Sequence, residues 1–223
     1  FVLEMAEGEV GKVIGETTKA PVLHLDEQNA CSLDMQLALY ENKLEDVFPC
    51  NIPTVQTPIE TVSFNADVCK APAVKVARPK VLIPVFPGTN CEYDSAKAMT
   101  DAGADAEIFV IRNLTADAIA SSVEEFANKL KEAQMVFVPG GFSGGDEPDG
   151  SGKFITAFFR NAAVKEQITD LLDNRDGLML GICNGFQALI KLGLVPYGEI
   201  RDTDDTCPTL TFNTIGRHQS RIV

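Results

Sequence analysis

Tryptophan is absent from the 223 residues, and histidine occurs twice, at His24 and His218. Two distant imidazoles exclude a histidine-rich metal cluster. Long apolar runs are missing as well. No stretch approaches the roughly 18 consecutive apolar residues that a membrane helix needs, which argues against a membrane partner. Residues 1–6 are too short for a signal peptide and lack a basic leading region, so no secretory address is read there. The chain opens on Phe1 rather than Met, which suggests a fragment or a processed product. No CxxC pair occurs among the six cysteines, Cys31, Cys50, Cys69, Cys91, Cys183 and Cys207. Their wide, irregular gaps exclude zinc-ribbon and thioredoxin-like readings, and no metal site is assigned. Free thiols in a reducing, cytoplasmic setting are expected. Basic residues are in deficit, 19 against 32 acidic ones, for a net charge of −13. Such a surface repels phosphate backbones, so nucleic acid is not an expected partner.

What remains is ordinary globular material, 45% hydrophobic and 23% charged. The chain has two textures. Residues 1–50 form a small α+β appendage, with strands expected over 10–14 and 21–25 and a helix over 33–40 capped by Ser32. Residues 51–79 read as a linker, where Pro53, Pro58 and Pro72 favour extended chain.

From residue 80 a strand–helix alternation takes over. Strands are expected over 80–86, 107–111, 135–138 and 178–182, and helices over 91–102, 115–131, 153–172 and 184–192. Gly103 and Gly193 are positioned to stop two of these helices. The strands are continuously apolar rather than alternating, which marks a parallel sheet covered on both faces. The expected fold class is therefore α/β, a doubly wound, flavodoxin-like, mostly parallel sheet over residues 80–223, truncated at its C-terminus. In such folds the chemistry sits at the carboxyl ends of the strands, where loops 87–91, 139–152 and 181–185 would meet.

One of those loops carries Gly181-Ile182-Cys183-Asn184-Gly185 between a strand and a helix. This is the arrangement of a nucleophile elbow with cysteine in place of serine. A sharp strand-to-helix turn crowds the positions two before and two after the nucleophile, so both must be small; here both are glycine. The start of a helix favours negative charge. The plain alternative is a buried cysteine in a glycine-rich turn. Cys91 serves as an internal control: it also lies between a strand and a helix, but Thr89 and Tyr93 occupy the crowded positions. It is read as a pocket or packing residue. The loop Gly140-Gly141-Phe142-Ser143-Gly144-Gly145-Asp146 could aim backbone N–H groups at an oxyanion. It lacks the Lys-Ser/Thr pair of a phosphate-binding loop, which disfavours nucleotide binding. A cysteine nucleophile needs a base. His24 lies in an apolar stretch of the appendage and His218 in the polar run Arg217-His218-Gln219-Ser220-Arg221, so neither is assigned that role.

Taken together these motifs resemble the class I, triad-type glutamine amidotransferases. More narrowly, they resemble the C-terminal glutaminase domain of formylglycinamide ribonucleotide amidotransferases, the phosphoribosylformylglycinamidine synthases. The similarity runs through Val85-Phe86-Pro87-Gly88-Thr89-Asn90-Cys91-Glu92, Pro139-Gly140-Gly141-Phe142-Ser143, Gly181-Ile182-Cys183-Asn184-Gly185-Phe186-Gln187 and Leu210-Thr211-Phe212-Asn213. Residues 1–50 are weakly similar, through Gly8-Glu9-Val10 and Leu44-Glu45-Asp46-Val47-Phe48-Pro49, to the end of the preceding synthetase domain in long single-chain members.

The resemblance implies that Cys183 is the nucleophile toward glutamine. It further implies that Gly141 and Asn184 supply the oxyanion hole, and that Gly140, Phe142 and Gln187 help hold the substrate. It implies no cofactor in this stretch, with ATP and Mg2+ used by the partner synthetase domain. The family's catalytic His and Glu belong to a His-x-Glu motif that is expected beyond residue 223, which would leave this piece inactive alone. Two other readings stay open. One is a DJ-1-like cysteine hydrolase, against which the Pro-Gly-Thr-Asn-Cys-Glu segment argues. The other is a non-catalytic docking module, which the missing His and Glu would favour.

Overall fold

The structure, a computed structural model, describes residues 4, 8, 11–26, 30–47, 63, 65, 68, 71–143, 152–210 and 220. It forms two compact units, residues 1–56 and 57–223. In the first, β1 (Val22–His24) pairs antiparallel with β2 (Ala30–Ser32), placing Leu23 opposite Cys31. Helix α1 (Leu33–Glu41) follows directly, with a 3-10 turn over Asn42–Leu44. Ser32 occupies the N-cap with extended backbone, but its side chain makes no capping bond. The strand expected over 10–14 is not there: described residues 11–14 are irregular, and the partner of β1 is 30–32 instead. Gly11 and Gly15 bracket that stretch, and glycine offers a strand no side chain to pack. Among its described residues this unit buries no side chain.

The second unit is a four-stranded sheet in the order β4-β3-β5-β6, from β3 (Lys80–Val85), β4 (Asp105–Val110), β5 (Met135–Val138) and β6 (Leu178–Gly181). Every pairing is parallel, as the unbroken apolar strands require. In β3, Val81, Leu82 and Ile83 are each no more than 2% exposed, because both faces are covered. Val81, Ile83 and Phe137 face one side, where Ala96 and Met99 of α2 (Glu92–Asp101) pack on them. Leu82, Val136 and Val138 face the other, against α3 (Ala116–Leu130), α4 (Lys153–Phe159), α5 (Ala162–Asp173) and α6 (Asn184–Leu192). Phe86, Phe126, Phe158 and Phe159 meet edge-on or tilted in that larger core, with ring centroids 5.3–6.3 Å apart.

In this unit the expected elements recur with ends shifted by a residue or two, and three differences stand out. Strand β4 starts at Asp105, two residues before 107. The single helix expected over 153–172 is two helices, because Asn161 leaves helical geometry (φ −57°, ψ 134°) and its side chain accepts a bond from the Ala163 N–H at 3.0 Å. Asparagine competes in this way for backbone donors and favours a cap over a helix interior. A further short helix, α7 (Leu194–Tyr197), lies between Gly193 (φ 89°) and Gly198 (φ 78°). The connection from β3 leads to β4 on one side, whereas β5 lies on the other, so the sheet order reverses at β3. The turns after β3, β5 and β6 all leave from the carboxyl ends of these neighbouring strands.

Candidate active site

Strand β6 ends at Gly181 and α6 begins at Asn184, leaving two residues to reverse the chain. Cys183 absorbs the turn with φ 50° and ψ −108°, outside the regions that non-glycine residues ordinarily occupy. Its carbonyl accepts from the Gln187 N–H at 3.0 Å, and the Gly185 N–H donates to the Ile182 carbonyl at 2.8 Å, so the turn is closed on both sides. A Cβ at Gly185 would lie 2.1 Å from the Val138 carbonyl oxygen, and one at Gly181 would lie 2.7 Å from the backbone carbon and oxygen of Gly185. Neither site has room for a side chain. The Cys183 thiol is exposed. Cys91 has positive φ too (66°), but with ψ 19° it is in ordinary left-handed geometry. It is likewise exposed, which overturns the packing half of its pocket-or-packing reading.

The glycine loop runs against this elbow. A Cβ on buried Gly140 would come 3.3 Å from the Cys183 Cβ, so the loop backbone runs close beside Cys183. On its other flank the loop is tied to the turn after β3. The Asn90 N–H donates to the Gly140 carbonyl at 2.9 Å, and the Phe142 N–H to the Gly88 carbonyl at 2.8 Å. These bonds flank the Thr89–Gly141 bridge and leave the Gly141 N–H out of it. Gly141 adopts φ 135°, and a Cβ there would lie 2.2 Å from the Gly88 oxygen, so only glycine fits. The Thr89 hydroxyl, accepting from the Phe86 N–H at 2.9 Å, holds the β3 turn in shape. The segment Pro87-Gly88-Thr89-Asn90 therefore supports the glycine loop. Phe142 is 60% exposed beside it.

Helix α6 engages the loop through Asn184, whose side chain is buried. Its Oδ1 accepts from the Ser143 hydroxyl at 2.7 Å and from the Ser143 N–H at 3.2 Å, while its Nδ2 donates to Gln187 Oε1 at 3.2 Å. Gln187 is thus bonded to Asn184. Ser143 carried no role in the sequence reading. A serine in a glycine-rich loop looks like turn material, and only the fold shows its hydroxyl buried 41 positions from its acceptor. Residues 144–151, His218 and residues 211–213 of the last motif lie outside the described residues. The described residues of this unit contain no histidine.

A cavity of about 370 Å3 opens at the opposite, amino-terminal end of the strands. In its lining Lys80 pairs with Glu132 at 2.6 Å and Lys129 with Glu107 at 2.5 Å. It holds no cysteine, serine, threonine or histidine and stands apart from the strand ends where chemistry collects, so the elbow, not this cavity, is the candidate site. Among the described residues no His, Cys, Asp and Glu group could hold a metal ion, and no helix is long and apolar enough to cross a membrane.

Proteins of similar sequence match about two thirds of the chain. A protein named phosphoribosylformylglycinamidine synthase subunit PurQ from Dehalococcoides mccartyi is 36% identical over 146 residues, covering 66% of this chain and 51% of the relative. A protein of the same name from Methanococcus maripaludis is 33% identical over 145 residues, covering 65% of this chain and 48% of the relative. The chain thus spans about half the length of the curated relatives it matches. A solved structure, described as the structure of PurLQS from Thermotoga maritima, aligns with a TM-score of 0.36 and 26% identity over 52% of this chain and 45% of that one. Residues 78–223, which carry the elbow, the glycine loop and the whole parallel sheet, match the CobB/CobQ-like glutamine amidotransferase domain, and the chain belongs to that family.

Proposed function

We propose that this chain is the glutaminase part of a phosphoribosylformylglycinamidine synthase, with Cys183 as its nucleophile. The single observation that carries the assignment of Cys183 is its backbone: positive φ at the head of α6, between two glycines that admit no Cβ. A strained, exposed thiol at that position is the geometry of a nucleophile presented to a substrate. The names of the relatives supply the reaction. The sulfur adds to the side-chain carboxamide carbon of glutamine, and the carbonyl oxygen becomes an oxyanion. The N–H groups of Gly141 and Asn184 stabilise that oxyanion, while Gly140, Phe142 and Gln187 line the amide's approach. Collapse breaks the C–N bond, releases ammonia after a proton is donated to nitrogen, and leaves a glutamyl thioester. Water then hydrolyses the thioester to glutamate and restores the thiol.

Ammonia would be consumed at a synthetase site, where ATP and Mg2+ activate the amide oxygen of formylglycinamide ribonucleotide. The described residues supply the nucleophile and the loop around it; the group that donates the proton is not assigned among them.

The test is labelling and turnover in the full-length protein. A diazoketone analogue of glutamine should alkylate Cys183 ahead of the other five thiols, and Cys183→Ala should abolish ammonia release from glutamine. Labelling centred on Cys91, with glutaminase activity surviving in Cys183→Ala, would refute the assignment.

A further inference from the structure

We propose that Ser143 is a positioning residue that joins the glycine loop to the nucleophile's helix and so keeps the Gly141 amide in register with Cys183. The inference rests on the glutaminase reading above and goes beyond it by naming the residue that aligns the oxyanion donors. Ser143 is fully buried, and both its hydroxyl and its N–H converge on one atom, Oδ1 of Asn184, at 2.7 and 3.2 Å. Asn184 is the residue immediately after the nucleophile, and its own N–H is the second proposed donor. The bond therefore ties the loop that carries one proposed donor to the residue that carries the other.

The Ser143 carbonyl closes a second connection by accepting from the Gly152 N–H at 3.2 Å. Gly152 lies against Ala188 of the same helix, where an added Cβ would be 3.2 Å from the Ala188 Cβ. The hydroxyl and N–H of Ser143 thus fasten the loop to α6, and its carbonyl fastens the loop to the return segment at Gly152. The opposite side of the loop is held through the β3 turn, by the bonds at Gly140 and Phe142. Between these two supports sits Gly141 at φ 135°, its N–H in the same peptide plane as the Gly140 carbonyl that accepts from Asn90. Without the Ser143 hydroxyl, the support on the α6 side weakens, and the loop that carries this donor can shift relative to Cys183. Ser143 does not act on the substrate itself, because the bond it makes ends on Asn184.

The experiment is steady-state glutaminase kinetics on full-length Ser143→Ala, paired with alkylation of Cys183 by iodoacetamide, which needs no oxyanion hole. Misplacing a donor costs up to about 100-fold in rate, so kcat should fall roughly 10- to 100-fold while KM stays within about threefold. Iodoacetamide should alkylate Cys183 at the wild-type rate, which a general loosening of the elbow would not allow. Unchanged kcat in Ser143→Ala, with Cys183→Ala inactive, overturns the positioning role and leaves the glutaminase reading standing. Parallel loss of kcat and of iodoacetamide reactivity also overturns it, because Ser143 would then be holding up the fold. Glutaminase activity that survives in Cys183→Ala removes the underlying reading and the inference with it.

Discussion

Replacing Gly185 by alanine adds one methyl group at the most crowded point of the site. Its Cβ would fall 2.1 Å from the Val138 carbonyl oxygen, 2.8 Å from the Val138 carbonyl carbon and 2.9 Å from the Pro139 oxygen. All three are backbone atoms of β5 or its exit turn, so no side-chain rotation relieves the overlap. Helix α6 must instead lift from the sheet, disturbing buried Ala188, Leu189 and Leu192. Overpacking a rigid core costs about 1–3 kcal/mol and occasionally more. With backbone on both sides, Gly185→Ala belongs at the upper end, about 3 kcal/mol. For a domain of this size each kcal/mol moves Tm by about 2–4 °C, giving a fall of roughly 6–12 °C. Gly181→Ala should lose less, about 1–3 kcal/mol, since its Cβ meets the Gly185 backbone at 2.7 Å and the movable end of Leu189 at 2.8 Å. Gly15→Ala is the control, with nothing within 4 Å of its Cβ, and should stay within about 0.5 kcal/mol. Thermal melts and diazoketone labelling of Cys183 are measured on the same samples. If both elbow variants melt with the wild type and label at its rate, the elbow is not tight and the reasoning fails.

Cys183→Gly and Cys183→Ala both remove the thiol, so their difference isolates backbone strain at φ 50°. Glycine relieves strain of about 1–3 kcal/mol and loses about 0.4–1 kcal/mol to unfolded-chain entropy, so denaturant titration should find Cys183→Gly the more stable of the two. For Asp170, a bond from the Asn174 side chain at 3.1 Å and then the Arg175 guanidinium at 2.7 Å hold the carboxyl below its ordinary 3.8. A value depressed in the folded state means the charged form favours folding. The stabilisation is complete above 3.8 and is lost as pH falls through the lower folded value. Urea melts of Asp170→Asn should therefore lie below wild type at pH 7 and converge with it below pH 3.8; a constant gap would refute the linkage.

The parts of this molecule that could be read from the sequence are those whose signal is local. Continuous apolar runs such as Val81-Leu82-Ile83 announce a strand covered on both faces, and Gly-x-Cys-x-Gly announces its own steric problem. Lost from view were features decided by partners far along the chain. Nothing near Ser143 reveals that its hydroxyl ends on Asn184, and nothing near Thr89 reveals that its turn buttresses Gly141. The break between α4 and α5 is an intermediate case: Asn161 is a recognisable cap, yet the apolar spacing on either side runs through it. In the first unit the apolar pattern of residues 10–14 suggested a strand, but pairing followed the partner available at 30–32.

The crowding at Gly185 also dictates an order of assembly. The atoms that hem it in belong to β5 and its exit, more than forty residues earlier in the chain. Strand β5 is itself in place only when paired with β3 and β6. Closing such long loops is entropically slow, so parallel pairing comes late relative to helix formation. The glycines and the cysteine can turn the chain by themselves, but they acquire their final geometry only once the central strands have docked. Cys183 therefore reaches its positive-φ geometry with the long-range contacts of the sheet rather than with its own helix.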